Sequence, residues 1–100
     1  MIHFDPGQIL MTPGALAAIK EARQKPSQFI LRHCMLEQGE LDKSDHRLNL
    51  KAVKTGLRIF SSFTTSNGDA LWVISEYVNI EAGADPRKRE ITTLLEPTDY

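Results

Sequence analysis

The sequence predicts an α+β domain: about three N-terminal helices packed on one face of a three-stranded antiparallel meander. Three observations carry that expectation. Helical segments opened by proline crowd the first half of the chain, two β-prone runs flank Asn67-Gly68, and a third β-branched run precedes Pro97.

In chain order, Asp5-Pro6-Gly7 is a turn-forming triplet, and Ile9-Leu10-Met11 after it reads either as a brief edge strand or as an apolar staple on the next helix. Thr12-Pro13 marks a helix start, because a threonine hydroxyl caps free N–H groups and proline at the first helical position loses nothing. That helix should run from Pro13 to about Gln24, burying Leu16, Ile19 and the alanines at 15, 18 and 22. Lys25-Pro26 opens a second helix to about Met35, with Phe29, Ile30 and His33 on one side. Asp42 or Ser44 caps a third, through Leu48, Ala52 and Val53, which stops at Gly56. Residues 57–78 then read as a hairpin closed by a two-residue type I′ turn at Asn67-Gly68. That turn pairs Phe63 with Trp72, Ser61 with Ile74, Ile59 with Glu76 and Leu57 with Val78. The covered face would carry Leu57, Ile59, Phe63, Trp72, Ile74 and Val78. Residues 79–88 read as an exposed loop, and Arg89 to Leu95 as the third strand.

One hundred residues suit a single domain spanning 1–100, with 25% charged and 41% apolar residues, as in ordinary folded chains. The net charge of −1 favours neither a dedicated nucleic-acid binder, which carries a basic excess, nor a whole-surface acidic mimic, and leaves open a local basic patch. The single cysteine, Cys34, allows no internal disulfide and points to a reducing compartment. The N-terminus has neither the basic nor the apolar region of a signal peptide, and no apolar run approaches the ~18 residues of a membrane helix. A cytoplasmic protein with no membrane partner is expected.

Phe4…Gly7-Gln8-Ile9…Thr12-Pro13-Gly14-Ala15-Leu16, Phe29…Arg32-His33, and Gly39-Glu40-Leu41 with Asp45…Asn49…Ala52 stand in order along the chain. Trp72-Val73-Ile74-Ser75-Glu76 and Thr92-Thr93…Pro97…Tyr100 follow. In these residues the chain resembles a family of small "plasmid-related" proteins of bacterial plasmids, integrative elements and phages. Some of those relatives are labelled type I restriction endonuclease subunit M, but a methyltransferase needs a doubly wound cofactor domain that one hundred residues cannot hold. This chain departs from the family at Leu36-Glu37-Gln38-Gly39, where relatives carry Gly-Asp-Trp-Gly, and in a longer loop at 79–88. The resemblance implies an accessory of mobile DNA and no catalytic residue.

The residues themselves point to no metal and no cofactor. His33-Cys34 and Asp45-His46 lack any zinc-ligand spacing, and neighbouring ligands on a helix point ~100° apart. His33 reads as a ring packed on the sheet with one nitrogen on a backbone carbonyl, and Cys34 as a small buried thiol. The pairing above puts Glu76 on the apolar face. Three outcomes are open there: the strand is leaving the sheet, Arg32 or another base pairs with it, or it is a poised acid.

The reverse face, with Arg58, Phe60, Leu71, Val73 and Tyr77, is half apolar and fits a partner surface, unless the N-terminal segment or the 79–88 loop covers it. Arg58 and Tyr77 are placed for a cation–π contact. Arg87, Lys88 and Arg89 form the compact basic run, able to hold phosphates if Lys54 or Arg58 converges on it. The leading expectation is a non-enzymatic protein-interaction accessory whose partner is a second copy, as in a homodimer, or a host nucleic-acid-processing or defence complex (restriction or CRISPR). The alternatives are a nucleic-acid-binding module using the 86–89 loop, and a small enzyme centred on Glu76 with His33 or Tyr77.

Overall fold

The computed structural model of the chain describes residues 2–37, 43–76, 83 and 85–100. Its elements are β1 (Gln8–Met11), α1 (Pro13–Glu21), α2 (Pro26–Cys34), α3 (Lys43–Thr55), β2 (Ile59–Thr64), β3 (Ala70–Ser75) and β4 (Ile91–Leu95), followed by a 3-10 turn at Pro97–Asp99. The helices begin where local chemistry places them. Thr12 Oγ1 accepts the Ala15 N–H at 3.2 Å over Pro13, and Gln28 Oε1 reaches back to the Lys25 N–H at 2.9 Å over Pro26. The first two helices end at Glu21 and Cys34, a little earlier than expected, and the chain turns away two residues later, at Arg23 and Leu36 with φ of +56° and +57°. The third starts at Lys43, so Ser44 lies inside it and Asp42 outside the described residues; it ends at Gly56 as expected.

The expected three-stranded meander is corrected to a four-stranded mixed sheet of order β1-β4-β3-β2. The extra strand is the Ile9–Met11 run, which pairs parallel with β4, Gln8 beside Ile91 and Met11 beside Leu94. Gly7 makes that approach possible. At φ +69° it lies so close to β4 that a Cβ would meet the carbonyl oxygens of Arg89 and Glu90.

The hairpin forms, but one residue out of the expected register. Phe63 pairs with Leu71, Ser61 with Val73 and Ile59 with Ser75. The Gly68 N–H goes to the Thr65 carbonyl at 2.9 Å and the Thr65 N–H to Asp69, while φ is positive at Gly68 (+88°) but not at Asn67. Asn-Gly therefore closes a three-residue loop with a bulge glycine, not a type I′ turn. Contacts from the turn that follows α1 hold that loop. The Ser66 N–H donates to Gln24 Oε1 and the Ser66 hydroxyl to the Ala22 carbonyl, at 2.9 and 3.0 Å. A slip of one residue turns every side chain of β3 over.

Leu71 and Val73 consequently face inward with Ile59, Phe63 and Leu94 beneath the helices, and Trp72 turns outward. The core is built as two apolar clusters. One joins Ala15, Ile19, Phe29, Phe63, Leu71, Val73 and Leu94; the other joins Phe4, Cys34, Ala52, Val53 and Ile59. Each such fully buried large side chain contributes about 1.5–3 kcal/mol. Asn49 on α3 protects the β2 edge: its amide donates to the Phe60 carbonyl (2.6 Å) and accepts the Phe60 N–H (3.0 Å), as a neighbouring strand would. No helix among the described residues is long and apolar enough to cross a membrane.

Candidate functional site

The outer sheet face carries an aromatic groove. Phe60 on β2 and Trp72 on β3 meet edge to face at 5.1 Å, and Trp72 meets Tyr100 at 5.7 Å. Tyr100 is delivered by the turn after Pro97, which is anchored to the start of α1. The Thr12 hydroxyl donates to Asp99 Oδ2 at 2.7 Å, and the Glu96 N–H donates to the same oxygen at 2.9 Å. Those two bonds, the threonine's first, hold the Asp99 carboxyl below its ordinary range. Arg58 lies 5.8 Å from the Tyr100 ring centre and donates to its hydroxyl. Arg58, Phe60, Trp72, Ile74 and Tyr100 line an open groove of about 220 Å³.

Of the side chains expected on a partner surface, Arg58 and Phe60 are therefore there. Leu71 and Val73 are not: both are wholly buried in the core, a direct result of the hairpin register. Tyr77 lies outside the described residues. Trp72, Ile74 and Tyr100 take the places that sequence reasoning missed. The Pro97 stop was a usable signal, because it makes the chain turn back within reach of the sheet.

The basic run divides. Arg87 and Lys88 are exposed, whereas Arg89 is buried and unavailable to phosphate. Its guanidinium donates to the carbonyls of Ala52 (2.7 Å), Leu57 and Glu76 (3.1 Å), tying the end of α3 to the end of β3. The negative end of the α3 dipole suits that cation. Burial lowers its pKa, and its Nε has no partner. Lys54 does converge on this region, lining a cleft with Arg87; Arg58 goes to the aromatic groove instead.

A third constellation lies inside. His33 projects from α2 onto the inner sheet face, with Nδ1 2.6 Å from Ser61 Oγ and Nε2 2.9 Å from Ser75 Oγ. Ser75 Oγ is 2.6 Å from Thr92 Oγ1, which donates to the Pro6 carbonyl at 2.7 Å. That carbonyl only accepts, so it fixes the direction of each proton from Thr92 back to His33 Nε2, and in a neutral ring Nδ1 is then the acceptor. The Thr92 proton goes to Pro6, the Ser75 proton to Thr92, the His33 Nε2 proton to Ser75, and Nδ1 accepts from Ser61. The order puts a proton on Nε2, and the lowered pKa leaves the ring neutral. Burial, followed by the charge of Arg89, pulls its pKa down to about 3.

A serine hydroxyl on an imidazole is the arrangement of an activated nucleophile. Here His33, Ser61 and Ser75 all have zero exposure, so no substrate atom reaches them in this arrangement. The expectation of a single carbonyl partner for His33 is corrected to two serine hydroxyls. The Phe4 ring stands edge-on to the imidazole at 5.2 Å.

Cys34 is buried beside this network. Burial and then the charge of Asp5 push its thiol up to about 11, far from a reactive thiolate. Glu76 is exposed just beyond β3, with its N–H on the Ile91 carbonyl, so its placement on the apolar face is also corrected. Arg32 stacks 4.5 Å above the Phe63 ring. Among the described residues, no three His, Cys, Asp or Glu side chains stand close enough to hold a metal. No family model, curated protein or solved structure matches the chain.

Proposed function

We propose that this protein is a non-enzymatic interaction module that captures a protein partner in the aromatic groove of its outer sheet face. The carrying observation is the grouping of Phe60, Trp72 and Tyr100 with Arg58 around an open groove on the face opposite the helices. Aromatic and arginine side chains are the residues that concentrate binding energy at protein interfaces. The lone cysteine fits a cytoplasmic role, and the resemblance to mobile-element proteins suggests a host nucleic-acid-processing or defence complex, or a second copy of the chain, as the partner.

The experiment is affinity capture from the host cell with the wild type and with Phe60→Ser/Tyr100→Ala. The double variant is expected to lose the partner while its circular dichroism stays native. Retention of the same partner by the variant rejects the groove. Trp72, the only tryptophan, reports directly, and its emission should shift when the partner binds.

A nucleic-acid reading draws on the same rings as stacking platforms, with Arg58 beside them. Against it, Arg89 is buried, and Arg87 lines a different cleft from the aromatic residues. Quenching of Trp72 by a single-stranded oligonucleotide, weakening steeply with salt, would favour that reading. The enzymatic reading has less support, because His33 is sealed away from the exposed Glu76.

A further inference from the structure

We propose that the surface formed by residues 2–6, the end of α2 and the second half of α3 binds an anionic amphiphile, a single-chain aliphatic carboxylate. Lys54 and Arg87 would hold its head, and its tail would cross Ile2 into the cleft beside Phe4 and Cys34. This goes beyond the partner groove, with which the site shares no residue.

Two clefts carry the inference. The first, of about 320 Å³, is lined by Ile2, His3, Leu36, Leu50 and Val53, with Lys54 and Arg87 as its charged groups. Neither cation has an ion-pair partner among the described residues. The second, of about 450 Å³, is almost wholly apolar, with Phe4, Ile30, Leu31 and Cys34 among its lining. Its one charged group, Asp5, already accepts the Gly7 N–H at 2.9 Å. Ile2, largely exposed, is common to the linings of both clefts. Both volumes fall in the range of small-molecule sites, which are apolar with a few placed polar groups.

The charge pattern selects the occupant. The first cleft is lined by Lys54 and Arg87 and by no carboxylate, so it attracts anions although the whole chain has a net charge of −1. The second cleft offers a polypeptide backbone little to bond beyond the Ser27 side chain, whereas an alkyl chain needs no partners there. A carboxylate on an unbranched tail meets both demands: charge at one end, none along the rest.

The test is titration of the whole chain with monomeric decanoate, dodecanoate and decanol, read by methyl NMR and calorimetry. Decanoate should shift the methyls of Ile2, Ile30, Leu31, Leu50 and Val53, and each added methylene should tighten Kd by about fourfold. Lys54→Ala/Arg87→Ala, both at exposed positions, should weaken decanoate at least tenfold and leave decanol unchanged. Equal binding of decanoate and decanol by the wild type would overturn the proposal, as would shifts confined to the Trp72 groove. Binding to anionic phosphatidylglycerol vesicles without binding of monomeric decanoate would overturn it too, making the surface a membrane contact.

Discussion

On the inner face of the sheet, Ser61, Ser75, Thr92 and His33 are sealed from water; on the outer face of the same strands, Trp72 and Phe60 are half open to it. Residue type alone would place them the other way round. The inner polar groups stay inside because each hands its proton to the next, down to the Pro6 carbonyl. The aromatic rings stay outside because a single residue of hairpin register puts them there. Partners and pairing, more than hydrophobicity, decide which face a side chain serves.

The largest expected loss on the buried side comes from Arg89→Met. It keeps bulk but strips the carbonyls of Leu57 and Glu76 of their donor, and should cost about 3–5 kcal/mol in urea unfolding. A variant within 1 kcal/mol of the wild type, on the order of a single surface change, would mean that the clamp carries no weight. His33→Leu should follow at about 2–4 kcal/mol, because it leaves the Ser61 and Ser75 hydroxyls without their ring partner.

Acid probes the same network without a mutation. The unfolded imidazole takes up its proton near pH 6.5, while the folded one resists until about 3. Across that window the unfolded state binds more protons, so stability falls as pH falls. The slope approaches about 1.4 kcal/mol per unit, or about 2 kcal/mol lost at pH 5. In His33→Gln this contribution disappears. A nitrogen-15 spectrum at pH 5 should show a neutral ring protonated on Nε2, and an imidazolium there would break the assigned proton order.

The outer face should give the smallest effect. Tyr100 is 72% exposed, so Tyr100→Ala should cost under about 1 kcal/mol while visibly changing Trp72 emission. A large loss of stability would mean that the groove belongs to the core and is not a surface held ready for a partner.

Local chemistry was legible from the residues alone. Thr12-Pro13, Pro26 and Gly56 mark helix ends through bonds made within a few positions, and the structure keeps all three. Long-range pairings were not. Leu71-Trp72-Val73-Ile74 is apolar at every position, so alternation could not choose between two registers, and the choice fell to a loop gripped by Gln24 and Ala22. Nothing near Gln8 announces Ile91 as its neighbour, and nothing near Arg89 announces the carbonyls that bury it. The sequence by itself set where helices begin and which stretches favour extended backbone, because those free energies are local. Which face met water, which cation was sealed and which strand closed the sheet rested on contacts between distant residues, and only the tertiary structure could decide them.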